Sequence, residues 1–203
     1  MNSIPPRLVL ASQNPKKAAE LSALLAPLGS QVVPLSAFTD VAPEENAPTF
    51  IENALIKARH AARVSGLPAL ADDSGLEVAA LGGAPGVRSA RYAGEAADDD
   101  ANNRKLLEAL ADIPLGQRQA RFVCALVCLR HADDPVPWLA LGAWPGEILT
   151  APRGTAGFGY DPLFFDPQLG RCAAELTADE KGRVSHRGRA LRQLLAQWTA
   201  DHA

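Results

Sequence analysis

The chain has 203 residues, 47% of them hydrophobic, and a formal net charge of -3. That length suits one domain, residues 1–203, with a core large enough to need no disulfides. The slight acidity argues against a nucleic-acid coat, because no overall positive field gathers a polyanion.

Leu8-Val9-Leu10-Ala11 reads as a short buried strand. Asn14 then suits an N-cap with Pro15 at the first helical position, opening a helix that runs to about Leu28 and stops at Gly29. Gln31 to Leu35 is a second strand, and the acidic, proline-bearing stretch Thr39 to Pro48 is a loop. Thr49-Phe50-Ile51-Glu52 is a capping box whose helix continues through Lys57 to Gly66. Leu67 to Ala71 is a strand expected to deliver Asp72-Asp73-Ser74-Gly75 at its end.

Gly82-Gly83-Ala84-Pro85-Gly86 is a loop and Asp98 to Leu110 a third helix. Phe122 to Leu129 and Val136 to Trp144 read as a hairpin around Asp133, Asp134 and Pro135, and Ser185 to about Ala200 as an amphipathic helix. Such an alternation predicts one α/β unit with a mixed sheet. Cys124 and Cys128, four apart in an apolar run, point to one face as buried free thiols, and with Cys172 they offer no CxxC. No apolar run is long enough to span a membrane, and Met1 to Arg7 is not a secretory signal, so a soluble, reduced, cytoplasmic protein is expected.

Three groups of segments carry chemistry. Ser12-Gln13-Asn14-Pro15-Lys16-Lys17 joins a strand to a helix start, where unpaired N–H groups and a partial positive charge favour an anion; an ordinary cap with solvated lysines is the competing reading. Glu44-Glu45 and Asp72-Asp73 offer oxygen ligands for Mg²⁺, or are simply acidic loops. Adjacent carboxylates on extended chain point opposite ways, so one of Asp72 and Asp73 would face phosphates and the other orient the turn. The third is Phe158-Gly159-Tyr160-Asp161-Pro162, preceded by Gly157 and followed downstream by Lys181 and Ser185-His186-Arg187-Gly188. It combines an aromatic face for a flat ring with cations and an imidazole for phosphates or base edges. A nucleotide needs both halves. His60 and His131 read as surface residues.

Six segments taken in order resemble the inosine triphosphate pyrophosphatase family over nearly the whole chain: Leu10-Ala11-Ser12 with Asn14 and Lys17, Thr49 to Ala54 with Lys57-Ala58, Ala71 to Leu76, Gly82 to Gly86 with Ser89-Ala90-Arg91-Tyr92, Gly157 to Pro162, and Ser185 to Gly188. Ser12 stands where that family often has Thr. The resemblance implies an α/β fold of two lobes around a long mixed β-sheet flanked by helices, a homodimer, and Mg²⁺-dependent release of pyrophosphate from non-standard purine nucleoside triphosphates such as ITP, dITP and XTP. With no overall positive field and no apolar run of spanning length, neither a nucleic-acid polymer nor a membrane is expected as partner. By position the resemblance assigns the metal to Glu45 and Asp73, makes Asp73 the base for water, and directs Lys17 and Lys57 to the phosphates. Ser12, Gln13, Asn14, Pro15, Lys16, Lys17, Ser74, Phe158, Gly159, Tyr160, Asp161, Lys181, His186 and Arg187 would contact substrate. Two alternatives are a Maf-like pyrophosphatase of different base preference and a nucleotide-sensing module that binds without hydrolysis.

Overall fold

The computed structural model describes residues 5–12, 14–96 and 98–200. Its strands are β1 (Arg7–Ala11), β2 (Gln31–Pro34), β3 (Ala69–Val78), β4 (Gln119–Leu129), β5 (Trp138–Ile148), β6 (Phe164–Asp166) and β7 (Arg171–Cys172). They form a seven-stranded sheet in the order β2-β1-β3-β4-β5-β6-β7. β1 runs parallel to β2 and β3, while β6 is antiparallel to β5 and β7, so the sheet is mixed as expected. The helices are α1 (Pro15–Leu25), α2 (Phe50–Ser65), α3 (Asp99–Ala109), α4 (Ala178–Val184) and α5 (His186–Ala200). The chain divides into two compact units, Met1–Asp73 with Cys124–Gly142 and Arg187–Ala203, and Ser74–Val123 with Ala143–His186.

In the first unit the period of two along each strand builds two cores. Leu8 and Leu10 of β1, with Cys124, Leu126 and Cys128 of β4, meet Leu21 and Leu25 of α1 and Leu191, Leu194 and Trp198 of α5. Val9 and Ala11, with Ala125, Val127 and Leu129, meet Ala54, Ala58, Ala61 and Ala62 of α2. Cys124 and Cys128 are therefore buried free thiols on one face, as their spacing predicts. Burial drives the Cys128 thiol up to about 12, which leaves it inert as a nucleophile.

The second unit has its own core, in which Leu76 and Val78 of β3 join Leu106 and Leu110, Phe122, Trp144, Tyr160 and Phe164. Phe164 stands 4.5 Å from Phe122 and 4.9 Å from Trp144, centroid to centroid. The buried Trp144 indole satisfies its N–H on Asp166 Oδ2 at 2.7 Å, as a dry indole must.

Several boundaries differ from the sequence reading. β3 does not end before Asp72; it runs through the acidic pair to Val78, because Leu76 and Val78 supply a further alternating pair of core residues. The end that matters there belongs to β1, whose register stops at Ala11 opposite Ala71. Thr49 caps α2 by accepting from the Glu52 N–H, but its hydroxyl donates to the Glu52 carboxylate at 2.6 Å, so that carboxylate is engaged by the side chain and not in the expected return bond to backbone. β4 and β5 are longer than the predicted hairpin strands, and β6, β7 and α4 were not foreseen.

Candidate active site

The first unit gathers the residues expected near phosphates. At the β1–α1 junction, Asn14 Oδ1 accepts the N–H groups of Lys16 at 2.9 Å and Lys17 at 3.2 Å. Pro15 has no N–H, so the first-turn donors expected to greet an anion are here spent on the cap. Ser12 Oγ donates to the Asn14 carbonyl at 3.3 Å. Gln13 lies outside the described residues. Lys16 is exposed, whereas Lys17 folds inward until its Nζ stands 3.4 Å from Asp72 Oδ1. What this junction turns inward is the Lys17 ammonium.

Asp72 and Asp73 sit just past the end of β1 and point opposite ways, as the pleat requires. Asp72 turns toward the α1 and α5 side. Its Oδ2 accepts from Arg187 Nε at 3.0 Å and from the Cys124 thiol at 3.1 Å. Arg187 also donates through Nη1 to Glu20 of α1. Asp73 turns toward α2, where Lys57 Nζ lies 2.8 Å from its Oδ1 and 3.0 Å from Glu45 Oε2. The second oxygen of Asp73, Oδ2, is buried with no hydrogen-bond partner among the described residues. Glu44, beside Glu45, is exposed.

Electrostatics separate the two neighbours. Burial works against the charge of Asp72, but Arg187, Lys17 and Lys57 outweigh it and hold the carboxyl far below the usual carboxylate range. For Asp73 burial wins over Lys57 and Lys17, and its carboxyl is raised. Burial also pulls on Lys57, yet Asp73, Glu45 and Asp72 outweigh it, so the ammonium keeps its proton. Environments that drive adjacent carboxylates apart mark a division of labour. Among the described residues no group of three or more His, Cys, Asp or Glu side chains gathers for a metal. Glu45 and Asp73, already sharing one cation and keeping one buried carboxylate oxygen unused, are a hard oxygen pair that suits Mg²⁺, which takes one or two carboxylates beside phosphate oxygens.

The second unit holds the residues expected near a base. Asp161 is buried, and its Oδ2 accepts the Phe158 N–H at 2.8 Å and the Lys181 ammonium at 2.6 Å. The same ammonium lies 4.8 Å from the centroid of the half-buried Phe158 ring, a cation–π contact. Gly157 makes this possible: its φ is +77° and a Cβ there would overlap Asp161 Oδ2. Asp99 accepts the Gly159 N–H at 2.9 Å, and Asn103 donates to the Gly159 carbonyl at 2.9 Å. Tyr160 turns into the core, its hydroxyl donating to the Ser89 carbonyl at 2.8 Å. His186 is buried and stacks on Phe122 at 4.8 Å. Ser74 is half-buried. Tyr160 and Asp161 thus build the loop from behind, whereas Phe158 presents a ring.

Sequence reasoning missed Cys124, Glu20, Asp99 and Asn103 as partners of these groups. Glu20, one turn after Lys17, carried a faint signal by helical spacing. A buried cysteine carried none.

The model of the Ham1 family matches residues 8–197. The chain belongs to the Ham1 family. A dITP/XTP pyrophosphatase of Aromatoleum aromaticum is 61% identical over 191 residues, covering 94% of this chain and 96% of its own. The dITP/XTP pyrophosphatase of Escherichia coli K12 is 56% identical over 189 residues, covering 93% and 96%. Among solved structures, a HAM1 protein from Coxiella burnetii superposes with a TM-score of 0.87 at 50% identity, covering 96% of this chain and 98% of its own. The Staphylococcus aureus Ham1 protein gives 0.84 at 38% identity, covering 96% and 99%. The resemblance drawn from six sequence segments therefore identified the family, and the α/β fold with its mixed sheet is the Ham1 fold. Among the described residues of this Ham1 chain, no helix is long and apolar enough to cross a membrane.

Proposed function

We propose that the chain hydrolyses non-standard purine nucleoside triphosphates, ITP, dITP and XTP, to the monophosphate and pyrophosphate. The observation that carries the reading is Asp73: a buried carboxylate with one oxygen bonded to Lys57, the other without a partner among the described residues, and a proton affinity raised by burial. The names of the Ham1 relatives, dITP/XTP pyrophosphatase, support the substrate class.

In this mechanism Asp73 accepts a proton from the water that attacks the α-phosphorus. The α–β bridging bond breaks, and its electron pair leaves with pyrophosphate. Lys57, held between Asp73 and Glu45, and Lys17 bring positive charge to a reaction that is mostly positioning and charge stabilisation. Glu45 and Asp73 would be the carboxylate ligands of Mg²⁺, which when bound neutralises phosphate charge. Ser12, Gln13, Asn14, Pro15, Lys16 and Ser74 are the proposed surroundings of the phosphates and sugar. Phe158 stacks on the base, with Gly159, Tyr160 and Asp161 shaping its loop and Lys181 beside the ring, and backbone N–H groups with the His186-Arg187 pair supply donors to the O6 of hypoxanthine or xanthine. For Arg187 this means serving a ligand while holding Asp72. Adenine carries an amino group at that position, so each unmatched donor costs about 1–3 kcal/mol.

We further propose that residues 1–203 act as one functional domain, as a cytoplasmic homodimer. A sensor that binds without turnover has no use for an ionisable Asp73 facing a polyphosphate, which favours the enzyme.

Incubation with dITP and Mg²⁺ tests the reading, with both products identified. Deoxyinosine monophosphate plus pyrophosphate is expected, and Asp73→Asn lowers kcat by about 10²–10⁴-fold through loss of the base. Diphosphate plus orthophosphate would overturn the proposed bond choice, and near-normal turnover by Asp73→Asn the assignment of the base.

A further inference from the structure

We infer that Asp72 is a positioning residue that acts through Lys17, not a second base or metal ligand beside Asp73. The inference deepens the proposed function and rests on it for the identity of the anion that Lys17 meets. Both oxygens of Asp72 are committed to protein groups. Oδ2 takes Arg187 Nε and the Cys124 thiol, and Oδ1 faces Lys17 Nζ at 3.4 Å. The Asp72 side chain is 0% exposed, whereas that of Lys17 is 17% exposed. One end of the pair is therefore sealed in protein and the other still reaches outward.

Arg187 is itself fixed, with its side chain 1% exposed and a second carboxylate, Glu20, on it. Glu20 and Lys17 lie one turn apart on α1. The contacts Glu20–Arg187–Asp72–Lys17 thus close a ring through α1, α5 and β3, all within the first unit. A lysine on a flexible four-carbon stem has many places for its ammonium. This ring removes most of them, by setting an immobile anion where Nζ has to stop. Asp73 contrasts sharply, since one of its oxygens has no protein partner among the described residues. Adjacent in sequence and opposite in direction, the two carboxylates divide into one that reacts and one that aims a cation.

A double-mutant cycle on kcat/KM for dITP tests this, using Asp72→Asn, Lys17→Ala and the double variant. Coupled residues in one network depart from additivity, whereas independent ones multiply. The expected result is that the double variant is no slower than Lys17→Ala alone, within about threefold. A double variant slowed by the product of the two single effects would overturn the inference, because Asp72 would then act without Lys17. Glu20→Gln provides the same cycle from the half-exposed side of the ring should Asp72→Asn fail to fold: it slows the wild-type background and leaves Lys17→Ala unchanged, and an equal effect in both backgrounds is again a refutation. Affinity for inorganic tripolyphosphate, measured by calorimetry across the cycle, reads the coupling without turnover. If the wild type does not hydrolyse dITP, the functional reading falls, while this binding cycle still decides the role of Asp72.

Discussion

Replacing Arg187 with Ala removes the cation from a carboxylate that has no water to replace it. Both partners are sealed, with side-chain exposures of 1% for Arg187 and 0% for Asp72, so solvent screening gives no discount. Breaking a buried pair by removing one member costs about 3–5 kcal/mol, because the survivor is left charged in a poor dielectric. Lys17 at 3.4 Å and the Cys124 thiol at 3.1 Å stay on Asp72, which argues for the lower end, about 3 kcal/mol. For a chain of this size that lowers Tm by roughly 6–12 °C. The pH dependence gives an independent check. Arg187 helps hold the Asp72 carboxyl far below its ordinary value of 3.8, so the stability it contributes is complete above that value and is lost as pH falls toward the folded-state value. Without Arg187 the depression shrinks, and Asp72 escapes its buried charge by protonating at a higher pH. Thermal melts followed by circular dichroism at pH 7 and at a pH well below 3.8 should therefore show a large gap between wild type and variant that narrows on acidification. Adding Asp72→Asn to Arg187→Ala should recover part of the loss. A gap below about 2 °C at pH 7, or one that widens as pH falls below 3.8, would refute the reasoning.

Two further outcomes follow from the second unit. Phe158→Ala should lower kcat/KM for ITP, dITP and ATP by similar factors, about 5- to 150-fold, since stacking is worth about 1–3 kcal/mol for any base; a loss confined to one base would remove Phe158 from its stacking role. Gly157→Ala puts a Cβ at φ +77° and onto Asp161 Oδ2, whereas Gly170→Ala, at φ +66°, meets open space. Both carry the backbone penalty of about 1–2 kcal/mol, but Gly157→Ala should also raise KM for dITP by displacing the Asp161 carboxylate from the Phe158 N–H and Lys181. Equal KM values for the two variants would show that the close approach does not shape the site.

What the sequence made legible was whatever rests on neighbours in the chain. Asn14 with Pro15 opens α1, Thr49 accepts from the Glu52 N–H at the start of α2, and Asp98 accepts from the Ala101 N–H at the start of α3, each a bond spanning two or three residues. The alternation of Cys124, Leu126 and Cys128 against Ala125, Val127 and Leu129 was readable for the same reason, and so was the opposite facing of Asp72 and Asp73. Thr177 and Glu180 form a full capping box before α4, a signal equally local in the chain. β6 and β7, with three and two residues, are too short to show a period at all. The second hairpin strand was expected to end at Trp144, yet β5 runs on through Pro145-Gly146 to Ile148: its pairing with β6 begins at Glu147, so the missing Pro145 N–H lies outside that pairing, and Gly146 leaves room for the Phe164 ring.

The chemistry was legible as residue types but not as pairs. Asp72 and Arg187 are separated by 115 positions, and Asp72 and Cys124 by 52, distances over which no periodicity reports a contact. Hence the sequence could nominate Asp72, Asp73, Lys17 and Arg187 without saying which cation belongs to which carboxylate. That assignment changes the chemistry. With Arg187 and Lys17 on Asp72, and Lys57 shared by Asp73 and Glu45, the carboxylate kept ionised is the one fully spent on protein contacts. The one whose proton affinity burial raises is the one with a buried oxygen still unpartnered among the described residues, which is where a base is of use. An exchange of those partners, with the residue list unchanged, would reverse the roles of the two neighbours.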